Sequence, residues 1–232
     1  MSETLALALK LFMAYRALST KWKQNQAMTT GNTYQTVTDK DTALMEVKNK
    51  AGSVSVLIGT RDTGKSVCSR RLARFYDRPT YIVSPQEETP GWMHAINFQD
   101  IEQGIPEYST LILDDIPAYA GNRQYSNETV QLVERIVPMV RHPRQPPEFP
   151  IGRVHLIFCT QSSAQADKYI LDCDLAIFKP LGLLIEERPN VARIYKNFVN
   201  PVFEGKDTPW IKSHGYLMTP TWRGVIEIKM TN

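Results

Sequence analysis

Short apolar runs alternate with stretches of helical periodicity through the middle of the chain. Five runs are rich in β-branched and aliphatic residues, as is typical of strands buried inside a sheet. The predicted strands are Val54–Ile58, Tyr81–Val83, Leu111–Leu113, Val154–Cys159 and Leu175–Phe178. The segments between and after them predict helices at Lys65–Tyr76, Asn127–Val140, Ala164–Leu171 and Leu181–Phe198. The last of these contains a proline, Pro189. This alternation indicates an α/β fold with a central, mainly parallel sheet flanked by helices.

The two ends of the chain have different patterns. An apolar stretch, Leu5–Leu18, predicts an N-terminal helix, and the Thr-rich run Thr29–Thr38 predicts a linker or an exposed hairpin. The apolar stretch is too short to span a bilayer. It either packs on its own domain or a neighbouring subunit, or makes a peripheral contact with a membrane surface or a capsid. Near the C-terminus the alternating segment Gly224–Lys229 predicts an edge strand.

From these patterns we predict three parts. Residues 1–50 form an N-terminal helical appendage with a polar linker or hairpin, residues 51–200 form the core, and residues 201–232 form a C-terminal extension.

One loop of the core carries a specific chemical pattern. Residues Gly59–Ser66 read G-x-x-x-x-G-K-S between the first predicted strand and the first predicted helix, which is the pattern of a phosphate-binding P-loop. Such a loop aims backbone N–H groups and a helix N-terminus at a polyphosphate. We therefore predict a P-loop NTPase fold that binds ATP. The predicted ATP-binding residues are Gly59, Thr60, Arg61, Asp62, Thr63, Gly64, Lys65 and Ser66.

The strand Leu111–Leu113 ends in two acids, Asp114 and Asp115. A strand that ends in two acids is often only a solvated turn, but downstream of a P-loop it predicts the second half of the site. We expect Asp114 and the hydroxyl group of Ser66 to hold Mg²⁺, while Lys65 contacts the β- and γ-phosphates. Asp115 is then the group that orients or deprotonates the attacking water.

Another apolar strand, Val154–Cys159, is followed by Thr160 and Gln161. Their polar groups could hydrogen-bond the γ-phosphate or the attacking water, and we predict a catalytic role for Gln161. The alternative is a polar strand end that caps the helix that follows.

A proline-rich segment, Val140–Pro150, carries Arg141 and Arg144, and Arg153 follows it. Its prolines prevent the preceding helix from continuing. Guanidinium groups on such a loop can stabilise transition-state charge in a neighbouring subunit's nucleotide site, as an arginine finger does. We predict this role for Arg141 and Arg144; the alternative is that these arginines bridge local carboxylates.

Composition adds little to this picture. The 232-residue chain is 42% hydrophobic and 22% charged, which is typical of a globular protein large enough for a sizeable core. A net charge of +3 is compatible with a polyanionic partner but is too small to indicate one. Cys68, Cys159 and Cys173 lie in predicted core elements without metal-ligand spacing, so we expect buried free thiols in a reducing compartment.

Four blocks, in this order, resemble the FtsK–HerA superfamily, and within it the genome-packaging ATPases of poxviruses and of tailless, membrane-containing icosahedral viruses. They are GTRDTGKS at Gly59–Ser66, TLILDD at Thr110–Asp115, VRHPR to VHLIFCTQ over Val140–Gln161, and KYILDCDLAIFKP at Lys168–Pro180. The chain departs from the family pattern at Asp115, where glutamate is common, and in the extra prolines after His142.

The resemblance implies a Mg²⁺- and ATP-dependent motor that translocates double-stranded DNA into a preformed capsid. It implies a ring-shaped homo-oligomer, a pentamer or hexamer, that contacts capsid vertex proteins in the virion and is made in the host cytoplasm. Two other readings keep the P-loop: a small-molecule or nucleoside kinase whose lid is the segment Arg141–Arg153, and a nucleotide-gated assembly protein.

Overall fold

In the part of the chain that the structure describes, eight strands form one sheet with helices on both faces. The computed structural model describes residues 39–84, 89–114, 128–145, 150–161, 172–181 and 189–228. All of them belong to the unit Thr38–Asn232. In chain order the elements are α1 (Lys40–Lys48), β1 (Ser53–Ile58), α2 (Lys65–Tyr76), β2 (Thr80–Val83), β3 (Met93–Ala95), α3 (Phe98–Gln103), β4 (Thr110–Leu113), α4 (Glu128–Met139), β5 (His155–Thr160), β6 (Leu175–Phe178), α5 (Pro189–Ile194), a π-helical turn (Tyr195–Val199), α6 (Asn200–Phe203), α7 (Thr208–Ser213), β7 (His214–Met218) and β8 (Arg223–Glu227).

The strand order is β3-β2-β4-β5-β1-β6-β7-β8. The first six strands in this order, β3, β2, β4, β5, β1 and β6, run parallel to one another. Strands β7 and β8 are added antiparallel. The ends of the parallel strands therefore share one border of the sheet, and their starts share the opposite border. We call these the carboxyl edge, marked by Ile58, Leu113, Thr160 and Phe178, and the amino edge, marked by Ser53 and His155. This architecture confirms the predicted α/β fold with a mainly parallel sheet and a C-terminal edge strand.

The central strands match their predicted positions to within one residue at each end, and helix α2 has its predicted bounds. Four of these strands, β1, β4, β5 and β6, are buried along their full length. Strands that are covered on both faces read as continuous apolar runs, which explains why the pattern located them.

Six short elements were not predicted: α1, β3, α3, α6, α7 and β7. Helix α1 follows the predicted linker run, and it carries a cap signal that could have located it. The Asp39 carboxylate accepts a hydrogen bond from the Thr42 amide at 2.9 Å, as an N-cap residue does. Strand β3 has three residues, of which only Met93 is buried, so it leaves almost no apolar pattern.

The core has two layers, one on each face of the sheet. On one face, alternate residues of β1, Val54, Val56 and Ile58, pack with α4 and with the helical stretch from α5 to α6. On the other face, Leu57 packs with α1 and α2. Helix α2 contributes Cys68, Leu72 and Tyr76, which are four residues apart and therefore lie on one stripe.

Polar groups buried under α2 are paired with one another. His155 accepts or donates a 2.6 Å hydrogen bond with the Ser53 hydroxyl and stacks on the Tyr76 ring at 4.1 Å. The Tyr76 hydroxyl in turn bonds the Ser55 hydroxyl at 2.8 Å. Burial, with a smaller contribution from Arg78, lowers the pKa of His155 to about 4. This neutral histidine therefore serves packing at the amino edge, far from the phosphate loop.

Several predicted features lie outside the described residues: the N-terminal helix, the Thr-rich run, Asp115, the helix Ala164–Leu171 and the first part of the helix predicted from Leu181. Of the helix predicted over Leu181–Phe198, the structure describes the part from Pro189 onward as α5 and a π-helical turn. Among the described helices, none is both long and apolar enough to cross a bilayer.

Candidate active site

The predicted phosphate loop joins the carboxyl end of β1 to the start of α2. Its first amide, Gly59 N–H, donates to the carbonyl oxygen of Thr160 at 3.2 Å, where the pairing of β1 with β5 ends. Gly64, directly before α2, has φ +87°, and Asp62 also lies at positive φ, 59°. The loop turn therefore depends on a backbone conformation that glycine adopts without strain.

The Lys65 side chain folds back over this loop. Its Nζ donates to the carbonyl oxygen of Thr60 at 2.6 Å, and the Thr63 hydroxyl donates to the same oxygen at 2.8 Å. Lys65 is only 7% exposed. Its charge is thus held inside the loop, where a phosphate oxygen would be a stronger acceptor than the carbonyl group.

Asp114 lies on the same edge of the sheet. Strand β5 separates β4 from β1, and Phe158 of β5 is paired with both Leu113 and Val56. Asp114 is therefore level with Leu57, two strands away, which is about 10 Å across the sheet. The Asp114 side chain is buried, with 2% exposed, and its amide donates to Val83 O at 2.9 Å.

The thiol of Cys159 is close enough to both Asp114 and Lys65 for their charges to affect its pKa. Burial raises the pKa of Cys159 well above its ordinary value, the Asp114 carboxylate raises it further, and the Lys65 ammonium lowers it. The strand register agrees: Cys159 pairs with Leu57 of β1 and is level with Asp114 after β4, so the phosphate loop and this acid lie on the same side of the molecule.

Thr160 and Gln161 lie between the phosphate loop and Asp114, because β5 is the strand between β1 and β4. Thr160 is fully buried and pairs with Ile58, the last residue of β1. Gln161 is half-buried directly beyond it. The alternative, that this strand end caps the helix that follows, concerns a helix outside the described residues.

Arg141 is at the amino edge. Its guanidinium Nη2 donates to the carbonyl oxygen of Asp172 at 2.6 Å and to the carboxylate of Asp174 at 2.9 Å. The same carboxylate accepts the Val54 amide at 2.8 Å and pairs with Lys50 at 2.6 Å. Burial opposes ionisation of Asp174, but the Lys50 and Val54 hydrogen bonds and Arg141 outweigh it, so its pKa is lowered.

Arg144 also lies on the amino side of the sheet. Its amide donates to the Glu107 carboxylate at 2.7 Å, and its guanidinium donates to Gln103 O at 3.3 Å. Six-residue strands are roughly 20 Å long. Within one chain, therefore, the structure does not bring Arg141 or Arg144 to the phosphate loop.

Lys179, which was not among the predicted site residues, lies directly after β6 and beside β1. Its side chain is 1% exposed, and a Cβ atom added to Gly59 would be 2.5 Å from the Lys179 Cβ. The carbonyl oxygen of the next residue, Pro180, accepts the Thr60 amide at 2.8 Å. The available signal in the sequence was a lysine directly after a wholly apolar strand. A lysine is rarely buried unless its ammonium group has partners.

The three cysteines have no disulfide partner, as predicted. Cys68 and Cys159 are buried and Cys173 is half-buried, so the prediction of buried thiols is correct for two of the three. Burial raises the pKa of Cys68 to about 12. Thiols that stay protonated at neutral pH are poor nucleophiles, which agrees with a packing role.

Solved structures of a genome-packaging NTPase are similar to this chain at low identity. NTPase B204 from Sulfolobus turreted icosahedral virus 2 in complex with ATP-gammaS is 13% identical, with 77% of this chain and 97% of that chain covered and a TM-score of 0.38. Its complex with AMP is 12% identical, with 78% and 100% covered and a TM-score of 0.41. B204, the DNA-packaging ATPase from Sulfolobus Turreted Icosahedral Virus, is 13% identical, with 76% and 97% covered and a TM-score of 0.39. No protein-family model and no curated protein matches the chain. Because identities and TM-scores are this low, we infer function from this chain's own residues.

Proposed function

We propose that this chain is a Mg²⁺-dependent ATPase that works as a ring-shaped homo-oligomer and moves double-stranded DNA into a preformed viral capsid. The ATPase part is supported by one observation above the others. A G-x-x-x-x-G-K-S loop and the buried Asp114 converge on the carboxyl edge of a parallel sheet, with the polar end of β5 between them. Ligands of open α/β sheets bind at this edge.

The phosphate loop would hold the nucleotide through its backbone amides and Lys65. In the structure the Lys65 ammonium is bonded to Thr60 O at 2.6 Å. A charged phosphate oxygen is a stronger acceptor than a carbonyl group. Lys65 would therefore exchange this carbonyl for the β- and γ-phosphates and offset the charge that develops on them during transfer.

The residues fit a magnesium ion that arrives with the nucleotide. In the described ranges no group of three or more His, Cys, Asp or Glu side chains lies together, so these residues build no complete cage. Mg²⁺ is commonly bound by one or two protein oxygens together with phosphates and water. The Ser66 hydroxyl and the Asp114 carboxylate would hold it, and when bound it neutralises negative charge on the phosphates.

Asp115 and Gln161 are the proposed groups that act on the attacking water. Asp115 directly follows Asp114 at the end of β4 and would accept the proton of the water. Gln161 follows β5, between Asp114 and the phosphate loop, and would orient the water through its amide group.

Arg141 and Arg144 can take a finger role only in trans, because they lie at the amino edge of their own chain. We expect Arg141→Ala subunits mixed with Lys65→Ala subunits to regain part of the ATP turnover that each lacks alone. At some interfaces of the mixed ring, an intact phosphate loop then faces an intact arginine. Phosphate release from the mixture measures this.

The matched control for this experiment is Asp174→Asn, which disturbs the same ion pair but keeps the guanidinium group. Turnover that survives in Asp174→Asn and is lost in Arg141→Ala supports the finger. Equal loss in both variants, without complementation, assigns Arg141 to the local ion pair alone.

The motor part is supported by the order of the four sequence blocks and by the ring that a trans arginine requires. In this proposal the ring acts at the packaging vertex of the virion, against capsid vertex proteins, after synthesis in the host cytoplasm. The N-terminal helix would add a peripheral membrane contact or pack within the ring.

We expect long duplex DNA to stimulate ATP turnover, and we expect the stimulation to disappear as salt rises. Motor contacts to phosphates do not read sequence, and a protein with several of them loses affinity by about 10³-fold or more between 50 and 200 mM salt. Phosphate release with and without DNA, alongside the mass of the assembly, measures this. A monomer indifferent to DNA contradicts the motor, and stimulation by a small hydroxyl acceptor instead identifies a kinase.

A further inference from the structure

Lys179 is a buried lysine whose ammonium group is bonded entirely to the C-terminal part of the chain. Its Nζ donates to the carbonyl oxygens of Ile211 at 2.9 Å and Lys212 at 3.0 Å, and to that of His214. A protonated amine has three N–H donors, so each one has an acceptor. Two of these carbonyls belong to the last turn of α7, where carbonyl groups lack partners within the helix and favour a cation.

The same short segment holds the phosphate loop from the other side. The carbonyl oxygen of Pro180 accepts both the amide of Thr60 at 2.8 Å and its hydroxyl at 3.2 Å. At the far end of the loop, a Cβ atom added to Gly64 would lie 2.8 Å from the carbonyl oxygen of Lys212. The loop is therefore enclosed between the end of β6 and the end of α7.

Charge links the two lysines across this contact. The pKa of Lys179 is lowered to about 8, first by burial and in smaller part by the Lys65 ammonium. A polyphosphate bound at Lys65 would neutralise this repulsion and draw Lys65 away from the Thr60 carbonyl. The first change acts on Lys179 itself. The second acts on Thr60, which is bonded to Pro180.

We propose that Lys179 is a positioning residue that couples nucleotide occupancy of the phosphate loop to the order of α7. Bound nucleotide strengthens the hold of Lys179 on the three carbonyls, and α7 packs more firmly on the loop. The proposal rests on the nucleotide site proposed above.

Trp210 is the residue of α7 through which this change would reach neighbouring side chains, and it packs partly buried against the core. Trp210 stacks on the His214 ring at 4.1 Å, and the Lys206 ammonium lies 5.2 Å from the Trp210 ring centre. Helix α7 has no fully buried residue. Ile211 also packs partly buried against the core, and the bonds from Lys179 add a contact at the C-terminal end of the helix.

Hydrogen exchange of the full-length protein tests the coupling. Amide exchange of peptides from α7 and β7 is measured with and without Mg²⁺ and ATPγS, with the binding constant measured in parallel. We expect ATPγS to slow exchange in α7 of the wild type about tenfold, equivalent to about 1.4 kcal/mol. Helix α1, on the amino side of the sheet, is the internal control and should not respond.

Lys179→Met keeps the length of the side chain and removes its charge, whereas Lys179→Arg keeps the charge. We expect the Met variant to bind ATPγS but to lose the protection of α7, and the Arg variant to recover part of it. If Lys179→Met does not fold, Thr60→Val replaces it, since that change removes the hydroxyl bond to Pro180; it should weaken the protection.

The outcomes separate this proposal from the proposed function. Wild-type protein that binds ATPγS without protection of α7, or equal protection in the Met variant, overturns the coupling and leaves the ATPase intact. Wild-type protein that binds no ATPγS overturns both.

Discussion

Lys65→Ala is expected to abolish ATP turnover while leaving the fold intact. The Lys65 ammonium is the buried cation of the phosphate loop, 7% exposed and bonded to Thr60 O at 2.6 Å. Without it, the loop lacks the ammonium group that we propose offsets the charge developing on the transferred phosphate. Removing one such preorganised donor lowers kcat on the order of 10²–10³-fold. Phosphate release measures this, and thermal unfolding reports on the fold.

Stability should be preserved because the Thr60 carbonyl keeps the Thr63 hydroxyl as a donor at 2.8 Å. The substitution also removes a positive charge that opposes Lys179. Arg74→Ala is the matched control, since it removes a charge from the last turn of the same helix, where Arg74 lies over Trp92. Turnover should be normal in that variant. If Lys65→Ala hydrolyses ATP within a few-fold of the wild-type rate, the site is elsewhere.

Asp114→Asn is expected to make nucleotide binding independent of Mg²⁺. The carboxylate is 2% exposed at the carboxyl edge, and asparagine has nearly its shape without its charge. Oxygen ligands that carry a charge are those Mg²⁺ prefers. We expect ATPγS to bind equally with Mg²⁺ and with a chelator, and turnover to fall at least about 10²-fold. Wild-type binding should strengthen with Mg²⁺.

Asp115→Asn distinguishes the roles of the two acids. A general base contributes typically 10²–10⁴-fold, so this variant should hydrolyse slowly but retain Mg²⁺-dependent binding. If the two variants show the opposite pattern, the roles of Asp114 and Asp115 are exchanged. If neither affects turnover, β4 does not contribute the acids of the site.

The central strands and the phosphate loop could be located from the sequence because their signals are local. A strand buried on both faces needs an unbroken apolar run, as in Leu111–Leu113 and Leu175–Phe178. The loop needs its glycines and lysine within eight residues. By contrast, β3 has one buried residue and β7 has three between half-buried ends, so their own residues carry little pattern.

The surroundings of the predicted arginines depend on distant residues. Arg141 stands in a proline-rich segment that fits an exposed finger, yet its partner Asp174 lies 33 residues later and bonds strand β1 as well. The sequence shows that Arg141 is charged. It does not show that Arg141 is far from the phosphate loop, because that distance depends on which edge of the sheet its segment lies at.

By itself the sequence determined a mainly parallel α/β sheet, a phosphate loop between its first strand and the next helix, and acids at the end of another strand. Periodicity and short motifs record these features because each arises within a few neighbouring residues. The tertiary structure alone decided that β5 lies between the loop and Asp114, and that Lys179 joins the loop to α7. The bond from Thr60 to Pro180 spans 120 residues of chain. Contacts across such separations depend on how the strands are ordered in the sheet, which no local pattern records.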